Sequence, residues 1–270
     1  MIYLLGGNDM LSVDRQDAIK QILLEKKSVT VSELAERFGV TFETIRRDFR
    51  ALEKEGILKK TYGGAVLRQR MNHDVNFQVL SHIMVDVKRG MAAVAVDFVT
   101  PGDCIYLDFS TTCLCVAEQL GTVPVNVITN SLEAMNVLSR SKDVNLYSCG
   151  GCWDPHNCAF MGQSTVESLS HFHLDKAFIS CRAVSMQSGI SDSTQDEAQL
   201  RRQIIESSDE VYLIADHTKL DKNAFVNTCG FGSITAMITD QPLRSDWREF
   251  LDNAGIPYYS SAERTAEARV

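Results

Sequence analysis

The sequence predicts two domains of different class, a small α+β unit at the front and a larger α/β unit with a mainly parallel sheet behind it. Three observations lead there: charge is unevenly shared, the front reads as helices followed by a glycine turn, and the remainder alternates apolar runs with helical stretches. The 270 residues are 44% apolar and 23% charged, the composition of an ordinary globular protein with a sizeable core. Residues 13–70 hold 13 Lys and Arg against 9 Asp and Glu, a net +4, so with −8 in total the rest of the chain carries −12. A basic front on an acidic body favours a front module for a polyanion. Eight cysteines, without the density of a secreted disulfide scaffold, fit reduced thiols. The opening "MIYLLGGNDM" has no basic leader and no run long enough for an export signal or a membrane span, so a cytoplasmic location is expected.

At the front, "DRQDAIKQILLEKKS" sets Ile19, Ile22 and Leu23 at helical spacing and predicts a first helix over 14–27. "VTVSELAERFG" opens with Thr30 three residues before Glu33, a capping-box spacing, and closes on Gly39, so a short second helix follows. Gly39, Val40 and Thr41 make a tight turn, and Thr41 can cap a third helix over 42–55, ended by Gly56. At about 100° per residue, Ile45, Phe49 and Leu52 share one side of that helix, while Glu43, Arg47, Arg50 and Lys54 fall within about 60° on the other. "ILKKTYGGAVL" then reads as a hairpin turning at Gly63 and Gly64.

A cationic helix stripe by itself is usually a solvated face. Joined to a short capped helix, a tight turn and a glycine hairpin, it predicts a winged helix-turn-helix over 13–67 that reads double-stranded operator DNA. The expected contacts are Thr41, Glu43, Thr44, Arg46, Arg47, Arg50 and Lys54 on the third helix, with Lys59, Lys60 and Tyr62 on the wing.

Residues 68–87 lack clear periodicity and read as a linker that becomes helical near Val85. Over 88–260, apolar runs at 104–108, 125–129, 144–148, 176–180, 211–216 and 236–240 read as strands separated by helical crossovers, the pattern of a parallel sheet. Ligands bind such sheets at the carboxyl ends of the strands. "LDFSTT" places Asp108, Ser110, Thr111 and Thr112 at one such end, where hydroxyls and free amides can hold an anion. "ITNS" adds Thr129, Asn130 and Ser131, "SCGG" adds Gly150 and Gly151, and "ADHTK" adds Lys219 as a counter-charge for phosphate. Each alone is an ordinary cap or turn; together they predict a phosphate pocket.

"VSELAERFGVTFETIRRDFRALEKEGILKKTYGGA" resembles the N-terminal domain of the DeoR family of bacterial transcription regulators, down to the core at Thr44 to Asp48 and the closing Gly63 to Ala65. "GDCIYLDFSTT", "VITNS", "DKAFIS" and "ADHTK" fall in the order of that family's sensor domain, so the resemblance runs from about residue 13 to 260. It implies a body similar in fold to ribose-5-phosphate isomerase that binds a phosphorylated sugar effector. The chain departs from the family pattern at Ser110, where Gly is common, at "CRAVSMQSG", and at His217-Thr218-Lys219, where Ser-Ser-Lys is usual.

Two other arrangements of residues offer rival chemistry. "CGGCWDPHNC" offers Cys149, Cys152, His156 and Cys158 at a spacing that can hold zinc, but no second C-x-x-C pair closes a ribbon, and no metal is expected. Asp108, Asp192, Glu197 and Lys219 could form an acid/base set for sugar-phosphate isomerisation, yet similarity of fold alone does not carry chemistry, so neither an enzyme nor a cofactor is expected. The expectation is a ligand-responsive regulator, a repressor of sugar or polyol catabolism genes, acting as a homo-oligomer with no membrane contact.

Overall fold

A computed structural model of the chain describes residues 11–26, 28–54, 56–67 and 77–267. The chain divides into two compact units, with the boundary between Met84 and Val85. The opening decapeptide, Lys27, Glu55 and the linker segment 68–76 lie outside the described residues.

The first unit contains α1 (Ser12–Lys26), β1 (Ser28–Thr30), α2 (Val31–Phe38), α3 (Phe42–Lys54), β2 (Leu58–Thr61), β3 (Gly64–Leu67) and α4 (Phe77–Leu80). Ile19, Ile22 and Leu23 of α1 meet Leu34 and Ala35 of α2 and Ile45, Phe49 and Leu52 of α3 in one core. The Thr30 side chain accepts from Glu33 N at 3.1 Å, and Gly39 closes α2 at φ 64°. The capping box is half made, because the Glu33 carboxylate pairs with Lys26. β1 was not expected, since three residues are too few to show a period. It exists because it pairs with β3, giving the antiparallel order β1-β3-β2. The two glycines of the wing serve different ends: Gly63 takes φ 86° in the turn, and a Cβ on Gly64 would stand 2.2 Å from the Val29 carbonyl oxygen.

The second unit opens with α5 (Val85–Val96), then β4 (Cys104–Leu107), α6 (Thr111–Gln119), β5 (Val125–Thr129), α7 (Leu132–Leu138) and β6 (Val144–Ser148). A hairpin of β7 (Cys152–Asp154) and β8 (Ala159–Met161) leads to α8 (Gln163–Leu169), β9 (Leu174–Ile179), β10 (Ala183–Ser185) and β11 (Gly189–Asp192). α9 (Gln195–Glu206), β12 (Ser208–Ile214), β13 (Val226–Cys229), β14 (Ala236–Thr239), α10 (Ser245–Ala254), β15 (Tyr258–Ser260) and α11 (Ser261–Glu267) complete it. The unit therefore starts three residues before the expected 88 and continues past the expected 260, because α5 packs on α6 and α11 on α5.

Seven strands in the order β15-β14-β12-β9-β4-β5-β6 form a wholly parallel sheet. Alternate residues feed cores on its two faces. Ile105, Leu107, Phe178, Tyr212 and Ile214 pack beneath α5, α6 and α7. Tyr106, Ala177, Ile179, Val211 and Leu213 pack against α8, α9 and α10, with Trp247 and Leu251 among them. Strand order reverses between β4 and β9, the switch point of the sheet, and ligands of open parallel sheets bind outside the carboxyl ends at such a point. The segment "CRAVSMQSG" is a hairpin, β10 to β11, joined by β13 in a second, antiparallel sheet.

Candidate functional site

On α3 every expected DNA contact reaches solvent: Thr41, Glu43, Arg46, Arg47, Arg50 and Lys54 are exposed and Thr44 is half-buried. Thr41 caps the helix, accepting from Thr44 N at 3.2 Å, and the two threonine hydroxyls lie 2.9 Å apart. Glu43 is ion-paired with Arg50 and lies 4.0 Å from Arg46. On the wing, Lys59, Lys60 and Tyr62 are exposed. Lys60 is tied to α3 twice, through its amide to Glu53 at 3.0 Å and through Nζ to Glu53 at 2.8 Å. Behind this face, Arg15 Nε bonds Asp48 Oδ2 at 2.6 Å in the buried interior, which ties α1 to the inner side of α3.

The residues expected to bind a ligand follow the carboxyl ends of the adjacent strands β12, β4, β5 and β6, with β9 between β12 and β4. Ser110 caps α6, accepting from Cys113 N at 3.1 Å. Thr111 and Thr112 are buried in the first turn of α6. Lys219 Nζ donates to Ser180 Oγ at 2.7 Å, and Ser180 N donates to Asp108 Oδ2 at 2.9 Å, so a continuous polar chain crosses the switch point. Gly150 is open on its Cα side, while its carbonyl accepts from Thr165 Oγ1 at 2.7 Å.

Several expected ligand contacts are committed to the fold instead. Asp108, expected to accept from sugar hydroxyls, is 0% exposed and receives Arg201 Nε and Nη2 at 3.2 and 3.1 Å besides Ser180 N. Its oxygens are occupied. Thr129 donates to the Leu107 carbonyl at 2.7 Å, and Asn130 joins the Tyr106 hydroxyl at 2.7 Å to the Phe160 carbonyl at 2.8 Å. Ser131 caps α7 through Ala134 N at 3.3 Å. Gly151 is glycine for packing: at φ 147°, a Cβ would stand 2.1 Å from Thr165 Oγ1.

The carboxylates weighed as an acid/base set are drawn onto Arg201. Besides Asp108, Arg201 Nη1 lies 2.5 Å from Asp192 Oδ1, though without the alignment of a hydrogen bond, and its guanidinium sits 4.6 Å over the Phe109 ring. Asp192 also accepts from Thr228 Oγ1 at 2.6 Å, and Glu197 from Asn157 at 3.0 Å and Ser193 N at 3.2 Å. Burial pushes the Asp108 carboxyl up, against the pull of Arg201. This is a structural ionic network. The zinc spacing does not close either: Cys149 and Cys158 are buried, Cys152 is exposed, and the segment folds as the β7–β8 hairpin. Among the described residues no group of three or more metal-binding side chains comes together.

Sequence reading missed Ser180, Arg201 and Lys88. Lys88, on α5, is buried, and burial, with Lys219 nearby, pulls its ammonium down to about 8, partly offset by Asp216. Burial pushes the Asp216 carboxyl up, but Lys219 and hydrogen bonds from Thr218 hold it below the usual range. Both missed cations carry the same signal: Lys88 shares a stripe with Met91, Ala92 and Ala95, and Arg201 with Glu197, Ala198 and Ile204. A basic residue on a buried helical stripe is held there by something.

Residues 15–70 match the DeoR-like helix-turn-helix domain, and residues 83–241, more than half the chain, match the DeoR C terminal sensor domain. The chain belongs to the DeoR family. It is 36% identical over 234 residues to the HTH-type transcriptional regulator YulB of Bacillus subtilis (strain 168), covering 87% of this chain and 91% of that one. It is 31% identical over 238 residues to a lactose phosphotransferase system repressor of Staphylococcus epidermidis, covering 86% and 93%. This DeoR-family protein is accordingly a DNA-binding transcription regulator rather than an enzyme. Among solved structures, ribose 5-phosphate isomerase A of Methanocaldococcus jannaschii is similar at TM-score 0.38 and 19% identity, over 51% of this chain and 55% of that one, a likeness too distant to carry chemistry. No helix among the described residues is long and apolar enough to cross a membrane.

Proposed function

We propose that this regulator is a repressor of sugar or polyol catabolism genes, and that a phosphorylated sugar bound at the sheet's switch point lowers its operator affinity. Residues 13–67 read DNA through α3 and the wing, and residues 88–260 sense the ligand and assemble the oligomer. One observation carries the effector reading. Lys219, in the turn after β12, donates to Ser180 Oγ at 2.7 Å, and Ser180 N in turn bonds Asp108, at the strand end that leads into α6 and its cap Ser110, while Lys219 also helps to pull down the ammonium of the buried Lys88 of α5. Two cations that share the single Asp216 carboxylate leave net positive charge, which suits a dianion that eases their repulsion when it binds. The phosphate is received by Lys219, Lys88, Ser110 and the first turn of α6 at Thr111 and Thr112. Gly150 leaves room for the sugar, while Asp108, Thr129, Asn130 and Ser131 hold the loops in place.

The repressor reading draws on the lactose phosphotransferase system repressor named above. A single winged domain spans one half-site, so at least a dimer is needed for an operator with two. A thermal-shift screen tests the effector: phosphorylated sugars raise the melting temperature by mass action and their unphosphorylated forms do not. Equal stabilisation by a neutral sugar would remove the phosphate from the account.

A further inference from the structure

Glu43 is an acidic side chain on the face of α3 that meets a polyanion. It stands in the first turn of the helix, and its neighbours there are a capping pair, Thr41 and Thr44, whose hydroxyls are engaged with each other. Arg50 starts two turns further along, yet its guanidinium reaches back along the outer face to the Glu43 carboxylate, and its Nε donates to the Arg46 carbonyl at 3.3 Å. The result is an acceptor and a donor fork side by side at the end of the helix that enters the groove first. If the pair only neutralised itself, it would subtract a cation from the docking face and add an anion close to phosphates spaced about 1.7 Å apart along the duplex. The free protein gains from the carboxylate at the helix N-terminus, and on DNA its repulsion by phosphate is offset where it receives a hydrogen bond from a base.

Resting on the reading of α3 as the recognition helix, we propose that the Glu43–Arg50 pair reads one C·G base pair in each operator half-site. The carboxylate accepts from the cytosine N4 amino group, and the guanidinium donates to guanine O6 and N7. A C·G pair presents a donor followed by two acceptors across the major groove, which is the complement of a carboxylate beside an arginine fork. The other bases fit less well. Thymine and guanine offer a carboxylate only acceptors, and the adenine N6 donor lies beside the N7 acceptor, which repels the second carboxylate oxygen. Because the pair is already formed without DNA, no side chain has to be ordered on binding.

The test is selection of binding sites from a randomised duplex library by the full-length protein, the Glu43→Gln and Arg50→Ala variants, and Arg47→Ala as a reference. Both Glu43 and Arg50 are exposed, so the variants keep the fold. Wild type is expected to select C·G at one position of each half-site. Glu43→Gln is expected to lower the cytosine preference there about tenfold, in favour of adenine, to which glutamine bonds bidentately, and to leave other positions unchanged. Arg50→Ala is expected to relax the same position. If Arg47→Ala alters the selected motif while Glu43→Gln changes affinity equally on every sequence, the pair does not read a base and the proposal is overturned. If none of the three variants alters the motif, the recognition-helix reading itself fails.

Discussion

Lys219 is the residue on which the effector reading depends most. Replacing it with alanine removes charge-assisted bonds worth roughly 1.5 to 3 kcal/mol, so the phosphorylated sugar is expected to bind about ten- to hundredfold more weakly while operator binding survives. Calorimetry on the effector and band shifts on the operator separate the two readouts. Lys88 adds a dependence on pH whose sign can be worked out. Its folded value of about 8 lies below the ordinary 10.5, so between those limits the unfolded chain binds more protons, and the ligand-free protein gains stability as pH rises through the window. The effector behaves oppositely. A dianion favours the charged ammonium, so below about pH 8 binding takes up no proton at Lys88, whereas above it binding draws one in and affinity falls with rising pH. Lys88→Met is expected to abolish both trends, and calorimetry in buffers of different ionisation enthalpy at pH 9 counts the proton directly.

At the scale of elements, the buried Arg15–Asp48 pair joins α1 to α3. Asp48→Ala leaves a guanidinium buried without its carboxylate, which costs about 3 to 5 kcal/mol, so the winged unit is expected to melt well before the sensor unit in calorimetry. A single unchanged transition would show that Arg15 finds another partner. Elements with a strong period were legible in the sequence. The α3 stripe of Ile45, Phe49 and Leu52 was legible, and of the six expected parallel strands β5 and β6 match end to end while the other four shift by one to three residues at an end. β1, β10, β11, β13 and β15 were not legible, because runs of three or four residues are made strands by their partners rather than by their own pattern. At the candidate site, polar residues at strand ends were legible as a set, but which would be consumed by the fold was not. Asp108 is satisfied by Arg201, 93 residues away, and Ser180 bonds Lys219 across 39. Such long-range pairings have no local signature, although a basic residue on a buried stripe, as at Lys88 and Arg201, hints that one exists.

For the whole molecule, reading two half-sites requires two winged units held at a fixed spacing, so light scattering of the full chain is expected to give at least a dimer at micromolar concentration. A strictly monomeric chain would contradict the assembly part of the account. Coupling between the units requires the effector to bind the operator-released state more tightly than the operator-bound one, and by linkage the operator then weakens the effector by the same factor. The most direct test measures operator affinity by fluorescence anisotropy at fixed salt, titrating a phosphorylated sugar against wild type and Lys219→Ala, with the unphosphorylated sugar as control. The phosphorylated sugar is expected to release wild type, Lys219→Ala to need about ten- to hundredfold more of it, and the neutral sugar to release neither. Release of both proteins at the same concentration, or release by the neutral sugar, would contradict the effector reading.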